Sequence, residues 1–183
     1  MTVIKSPGFS GHDRLLLTVL LLLLNEGSGT AQNVTIVDIF SRESVALKVD
    51  FGFKAPQVVD VLHRVAAERG TPQRVRCDNG PEFISLHLDQ WAHWNGVQLD
   101  FPRPGRPSNN TVCESLNNRV RQELLNPTWF RTLEDARRIA AAWRHDYNTS
   151  HPHSSLDDLT PEEFARRSKK KPIIAIISRA PVR

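Results

Sequence analysis

Apolar positions along the chain change their period several times, and each change predicts an element. Residues 34–40 and 44–49 are β-branched and apolar runs separated by Ser41-Arg42-Glu43, the pattern of a β-hairpin with a short connection. Residues 54–69 follow at helical spacing, with Val58, Leu62, Val65 and Ala66 on one stripe, and Gly70-Thr71-Pro72 ends that helix. A short extended stretch, residues 74–77, runs into Asp78 and the turn signal Asn79-Gly80-Pro81. Residues 82–95 are helical again, carrying Phe83, Leu86, Leu88, Trp91 and Trp94, and Gly96 caps their end before a further short strand over 97–101. Trp91, Trp94 and Trp143 recur at helical spacing and are assigned to the core.

Residues 102–110 cannot form the interior of a helix or strand, because Pro102, Pro104 and Pro107 lack amide donors and fix φ. That loop carries Arg103 and Arg106 and delivers the chain to a helix over 111–125, capped by Ser108, Asn109 or Asn110. A last long helix covers 132–147, burying Leu133, Ala136, Ala140, Trp143 and Tyr147. Two strands, a helix, then strand, helix, strand, helix give an α/β layer fold with a mixed sheet. A sheet of this kind begins with one more strand before Asn33, so its first strand is expected to be missing or replaced.

The segment before Asn33 has a different character. Residues 15–24 are aliphatic except for Thr18, and Asn25-Glu26-Gly27-Ser28-Gly29 follows as a flexible loop. Ten apolar residues are too few for a membrane-spanning helix. Lys5 and Arg14 before the run, and Gly29 and Ala31 after it, also fit a secretory signal core. The preferred reading is a buried hydrophobic segment or a replaced, poorly folding N-terminus. The division is therefore a divergent leucine-rich leader over 1–32, a core over 33–167 and a basic tail over 168–183.

At 183 residues, 39% apolar and 24% charged, the chain is globular rather than disordered. A net charge of +4 points only weakly to a polyanionic partner. Cys77 and Cys113 form no disulfide scaffold and read as small, reduced core residues.

An Asp at a strand end, where the chain turns, is placed to hold a hard metal ion, and Asp78 has that position. Turn chemistry alone makes it an Asx-turn residue instead. Glu114 falls in the first turn of its helix, where the dipole favours any acid. Asn118 and Arg121 lie at i+4 and i+7 from it, opposite the stripe Val112, Leu116, Val120 and Leu124. A polar face that starts with a carboxylate and continues with amide and guanidinium suits a metal site leading into a phosphate track. Arg103, Arg106, Arg119 and Arg121 concentrate basic charge around Glu114, where a phosphate backbone would lie. His151 and His153 could ligate a metal but read more simply as a loop after the last core helix.

Asp78-Asn79-Gly80-Pro81-Glu82-Phe83, then Arg103-Pro104-Gly105-Arg106-Pro107, then Glu114-Ser115-Leu116-Asn117 resemble the catalytic core of DDE transposases of bacterial insertion sequences, which share the retroviral-integrase, RNase H-like fold. Val37-Asp38-Ile39-Phe40-Ser41-Arg42-Glu43 before them also matches, as do Tyr147-Asn148, Pro152-His153-Ser154 and Thr160-Pro161-Glu162-Glu163-Phe164 after them, and the resemblance gives His153 a DNA-proximal or structural role.

The resemblance implies three carboxylates holding two Mg²⁺ (or Mn²⁺) ions for in-line phosphoryl transfer on DNA. Asp78 and Glu114 match the second and third. The first belongs to the opening strand, where this chain has its leucine-rich run. Asp13 precedes that run without the family's Trp-x-x-Asp surroundings, and Asp38 matches a non-catalytic position. The implied picture is an N-terminally truncated, degenerate transposase with weak metal binding. Its partners would be insertion-sequence ends and target DNA. It would act as a cytoplasmic homo-oligomer with no membrane association. The alternative is a catalytically inactive DNA-binding or oligomerisation fragment that modulates an intact transposase. An RNase H-like nuclease with another substrate fits the motifs between Tyr147 and Phe164 less well.

Overall fold

The computed structural model describes residues 16–20, 32–77, 80–101, 111–168 and 175–176, with the first and last of these segments and positions 111, 113 and 114 described by backbone alone. The predicted hairpin is present as β2 (Gln32–Val37) and β3 (Ser44–Asp50), antiparallel from Gln32↔Asp50 to Thr35↔Leu47. The other edge of β2 is taken by β1 (Leu16–Leu20), antiparallel from Leu16↔Val37 to Leu20↔Asn33. The leucine-rich run thus fills the place of the opening strand.

Beyond β1 lies a parallel pair, β4 (Arg74–Arg76) and β5 (Gln98–Asp100), with Val75 opposite Leu99. β1 packs against β4, so the antiparallel and parallel halves meet along it. A short last strand, β6 (Ala175–Ile176), pairs with the end of β2.

The helices bury the stripes their spacing predicts. α1 (Ala55–Arg69) turns Val58, Val61, Leu62 and Val65 inward and ends at Gly70, whose φ of +90° a side chain would resist. α2 (Leu86–Asn95) makes the crossover between β4 and β5, buries Leu88, Trp91 and Ala92, and stops at Gly96 in the left-handed region. α3 (Thr111–Arg119) continues as a π-helical stretch, Val120–Leu125, keeping Leu116, Val120 and Leu124 buried throughout. α4 (Leu133–Ser150) starts at Thr132, whose Oγ1 accepts the Asp135 amide at 3.1 Å. α5 (Pro161–Ser168) closes the core.

Two expectations change. α2 begins at Leu86 rather than at residue 82, because the Gly80 carbonyl accepts the amides of Phe83 and Ile84 at 2.9 and 3.0 Å. A separate turn results, anchored by the fully buried Phe83, and Ser85 then caps the helix. Trp94 is not a core residue: it is 82% exposed. The buried stripe of α2 runs through Leu88, Trp91 and Ala92, and each helical residue turns about 100°, so the side chain at 94 falls beside that stripe.

Candidate carboxylate site and nucleic-acid interface

Asp78 lies outside the described residues, between Cys77 and Gly80. Cys77 is fully buried and its amide donates to the Asp100 carbonyl at 3.0 Å, which extends the β4–β5 pairing to the residue before the acid. On the far side, Gly80 sits under the Glu82 carboxylate, closer than a Cβ would tolerate. Glu114 is part of α3, while its side chain, like Arg103 and Arg106, lies outside the described residues.

β1 is the element that meets both halves of this site. β4, which leads to Asp78, packs against it, and so does α3, which carries Glu114. Yet β1 is Leu16-Leu17-Thr18-Val19-Leu20, without an acid. Among the described residues no group of three His, Cys, Asp or Glu side chains stands where it could hold a metal ion. Asp38 is committed to the hairpin connection, where its carboxylate accepts the Phe40 amide and the Ser41 hydroxyl, both at 2.9 Å.

The basic residues of α3 divide into two kinds. Asn118 and Arg121 are exposed, and Arg121 has no ion pair among the described residues. Arg119 is tied into the protein. Its guanidinium reaches Glu123 Oε1 and His151 Nδ1, each at 3.2 Å, and Trp143 Nε1 donates to the other Glu123 oxygen at 3.2 Å. His151 also meets Asp146 at 3.1 Å. This cluster joins α3 and its π-helical continuation to the end of α4.

The Tyr147-Asn148 pair grips the hairpin connection. The Tyr147 hydroxyl donates to the Arg42 carbonyl at 3.1 Å, while Asn148 holds both the amide and the carbonyl of Ser44. Arg42 takes a φ of +61°, a left-handed conformation that is uncommon for a residue with a side chain. The Thr160–Phe164 motif has an equally local role. Thr160 and Glu163 form a reciprocal capping box, and Phe164 meets the Phe40 ring edge-on at 5.1 Å.

Arg42, Val112, Ser115, Tyr147, His153 and Ser155 line an open cavity of about 240 Å³. His153 stands edge-on to Tyr147, and its Nε2 is buried without a hydrogen-bond partner. Burial, then the charges of Arg119, Arg42 and His151, hold the His153 imidazole below its ordinary pKa. His151 and His153 are therefore parts of a packed basic cluster rather than a ligand pair. Sequence reasoning missed Arg42 and Ser155 here. The signals were Ser41-Arg42-Glu43 and Pro152-His153-Ser154, the second a motif to which the resemblance gives a DNA-proximal or structural role.

An integrase core domain model matches residues 19–107, and a second integrase core domain model matches residues 95–161. The chain is 48% identical over 136 residues to an uncharacterized 31.7 kDa protein of insertion element IS407 from Burkholderia multivorans, across 74% of this chain and 49% of that protein. It is 43% identical over 132 residues to an uncharacterized 39.2 kDa protein of insertion element IS476 from Xanthomonas euvesicatoria, across 72% of this chain and 38% of that protein. The chain spans half or less of the length of these curated relatives. The fold is similar to that of the HTLV-2 integrase catalytic core domain in complex with magnesium, with a TM-score of 0.60 at 15% identity over 82% of this chain and 95% of that one. The mixed sheet with flanking helices is therefore the RNase H-like fold expected from the motifs.

Proposed function

Because the chain belongs to the DDE transposases of the integrase superfamily, we propose that it is a transposition core that engages DNA and whose metal-dependent strand transfer is degenerate. Arg103, Arg106, Asn118 and Arg121 supply contacts to the phosphate backbone. Arg119 acts by holding α3 against α4.

The observation that carries the reading is β1. In the proposed scheme Asp78 and Glu114 are the carboxylates available for Mg²⁺ or Mn²⁺, and the strand between their elements offers four aliphatics and Thr18. Hard divalent cations take anionic or strongly polar oxygen ligands. Aliphatic side chains supply none, and a neutral threonine hydroxyl does not replace a bridging carboxylate. The donor set does not fit a two-ion site, and no phosphoryl-transfer step is derived through one.

The test uses the purified full chain, Mg²⁺ or Mn²⁺, and insertion-sequence end DNA. The expected result is DNA retention with strand transfer at background. Efficient transfer abolished by Asp78→Ala overturns the reading of degeneracy. The second reading, an inactive fragment that modulates an intact transposase, is favoured by the same acid-free strand. Metal titration followed by thermal unfolding separates the two. A ligand present at 100 times its Kd stabilises by about 2.7 kcal/mol. A metal-dependent rise in Tm lost in Glu114→Gln supports a residual site, and a flat response supports the inactive fragment.

A further inference from the structure

We propose that Arg42, Ser115, His153 and Ser155 form a subsite for one phosphate group of a DNA backbone, one residue along α3 from Glu114. The inference rests on the reading of the chain as a DNA-engaging core and gives that reading a specific contact.

The cavity of about 240 Å³ has room for a tetrahedral anion, and its described lining contains donors and no acid. Arg42 brings a guanidinium, Ser115 and Ser155 bring hydroxyls, and His153 brings a ring nitrogen. The serines are exposed and mark the mouth. His153 lines the cavity, and its Nε2 is buried without a hydrogen-bond partner. A buried polar atom in that state costs free energy that a ligand oxygen recovers. As the Nε2–H tautomer the ring donates to such an oxygen.

Among the described residues, the charges that bear on the His153 ring are positive. The charges that depress the His153 imidazole, after burial itself, come from Arg119, Arg42 and His151. An anion seated here meets the same charges with the opposite sign. Arg42 is also prepositioned. Its left-handed backbone is held by the Tyr147 hydroxyl on its carbonyl at 3.1 Å, and Tyr147 is stacked on Trp143 with ring centres 5.3 Å apart. Sparsely populated backbone conformations persist where surrounding contacts over-determine them, and they cluster at ligand sites. Fixing the backbone that carries the cation lowers the ordering cost of binding. Three elements contribute: the β2–β3 connection, α3 and the loop before α5. Of these residues, only His153 belongs to a motif read from the sequence as DNA-proximal or structural.

The experiment uses the full chain with a duplex oligonucleotide and, separately, with inorganic phosphate. Affinity is measured against salt for the unmodified protein, for Ser115→Asp with Ser155→Asp, and for Gln90→Asp on α2 as a charge control. The paired variant is expected to bind DNA at least about tenfold more weakly and to lose about one unit of the log–log salt slope, as for one phosphate contact, while the control changes little. The ¹⁵N resonance of the His153 ring is expected to move on adding DNA. DNA binding and a slope that match the control overturn the subsite and leave the DNA reading standing. Failure of the unmodified chain to bind DNA overturns both. A His153 shift with phosphate and none with DNA assigns the cavity to a free phosphate and overturns the DNA source.

Discussion

Asn148 holds Ser44 from both sides of one residue: its Oδ1 accepts the Ser44 amide at 2.9 Å and its Nδ2 donates to the Ser44 carbonyl at 3.0 Å. The two residues are 104 positions apart in the chain, and both are buried. Without this amide, the hairpin start would present unpaired backbone groups to the C-terminal half of α4. Arg144 supports the same carbonyl more loosely, at 3.4 Å.

Asn148→Ala is therefore expected to destabilise the protein by about 2–3 kcal/mol, since leaving a buried donor or acceptor unsatisfied costs roughly 1–3 kcal/mol. Urea unfolding followed by circular dichroism measures it. The midpoint should fall with an unchanged m value. A loss under about 0.5 kcal/mol would mean that water or Arg144 replaces the amide.

The capping box of α5 makes a pH-dependent contribution. Hydrogen bonds from the Thr160 amide and then its hydroxyl hold the Glu163 carboxyl below the usual carboxylate range. A carboxyl whose folded pKa is depressed contributes stability above its unfolded value, near 4.3, and loses it as pH falls through the folded value. Thermal midpoints between pH 6 and pH 3 should therefore decline less steeply in Glu163→Gln than in the unmodified chain. Thr160→Ala should cost about 1 kcal/mol at neutral pH, the usual effect of losing an N-cap.

His153 titrates in the other window. Its folded pKa is lowered by burial first and then by neighbouring cations, so the unfolded chain binds the extra proton sooner. Stability is full above the unfolded value, near 6.5, and falls as pH drops from there toward the folded value. The denaturation midpoint should decrease between pH 7.5 and pH 5.5, and His153→Gln should remove part of that decrease. An equal slope in both proteins would show that other histidines carry it.

The basic residues should separate by assay. Arg103→Ala with Arg106→Ala is expected to weaken DNA binding on all sequences and to reduce the salt slope by about two units, at roughly 0.9 per phosphate contact. Arg121→Ala should reduce it by about one unit on the same basis. Arg119 is half-buried among Glu123 and His151. Arg119→Ala should leave the slope alone and lower stability by about 1 kcal/mol, a value reduced for its partial exposure. A slope change in Arg119→Ala would place that guanidinium on DNA.

Local pattern carried much of this structure because its signals are short-range. Apolar residues on α1 at spacings of three and four can face only one way in a helix, and Val58, Leu62 and Val65 do so. The hairpin and the long α4 follow from the same logic. Trp94 shows the limit. Helical spacing places a residue on the wheel but does not say where the neighbouring layer ends, and the exposed indole lies beyond that edge. The helix start at Leu86 was hidden by a non-helical turn whose residues look helical in composition.

The candidate site was legible as a list of residues and not as a place. Asp78, Glu114 and the arginines could be read from motif and spacing, because those motifs are contiguous. The cavity around Arg42, Ser115 and His153 could not, since its walls come from three segments that only packing brings together.

By itself, the sequence determined the elements, the family motifs and the absence of an acid from the leucine-rich run. Only the tertiary structure decided that Leu16–Leu20 of this run form β1. Continuous apolar residues have no period that separates strand from buried helix. The open edge of β2 settles the question by offering unpaired amides and carbonyls that a third strand satisfies. Composition says that residues 16–20 carry no acid, and the pairing of β1 with β2, with β4 and α3 packed against it, says where they lie.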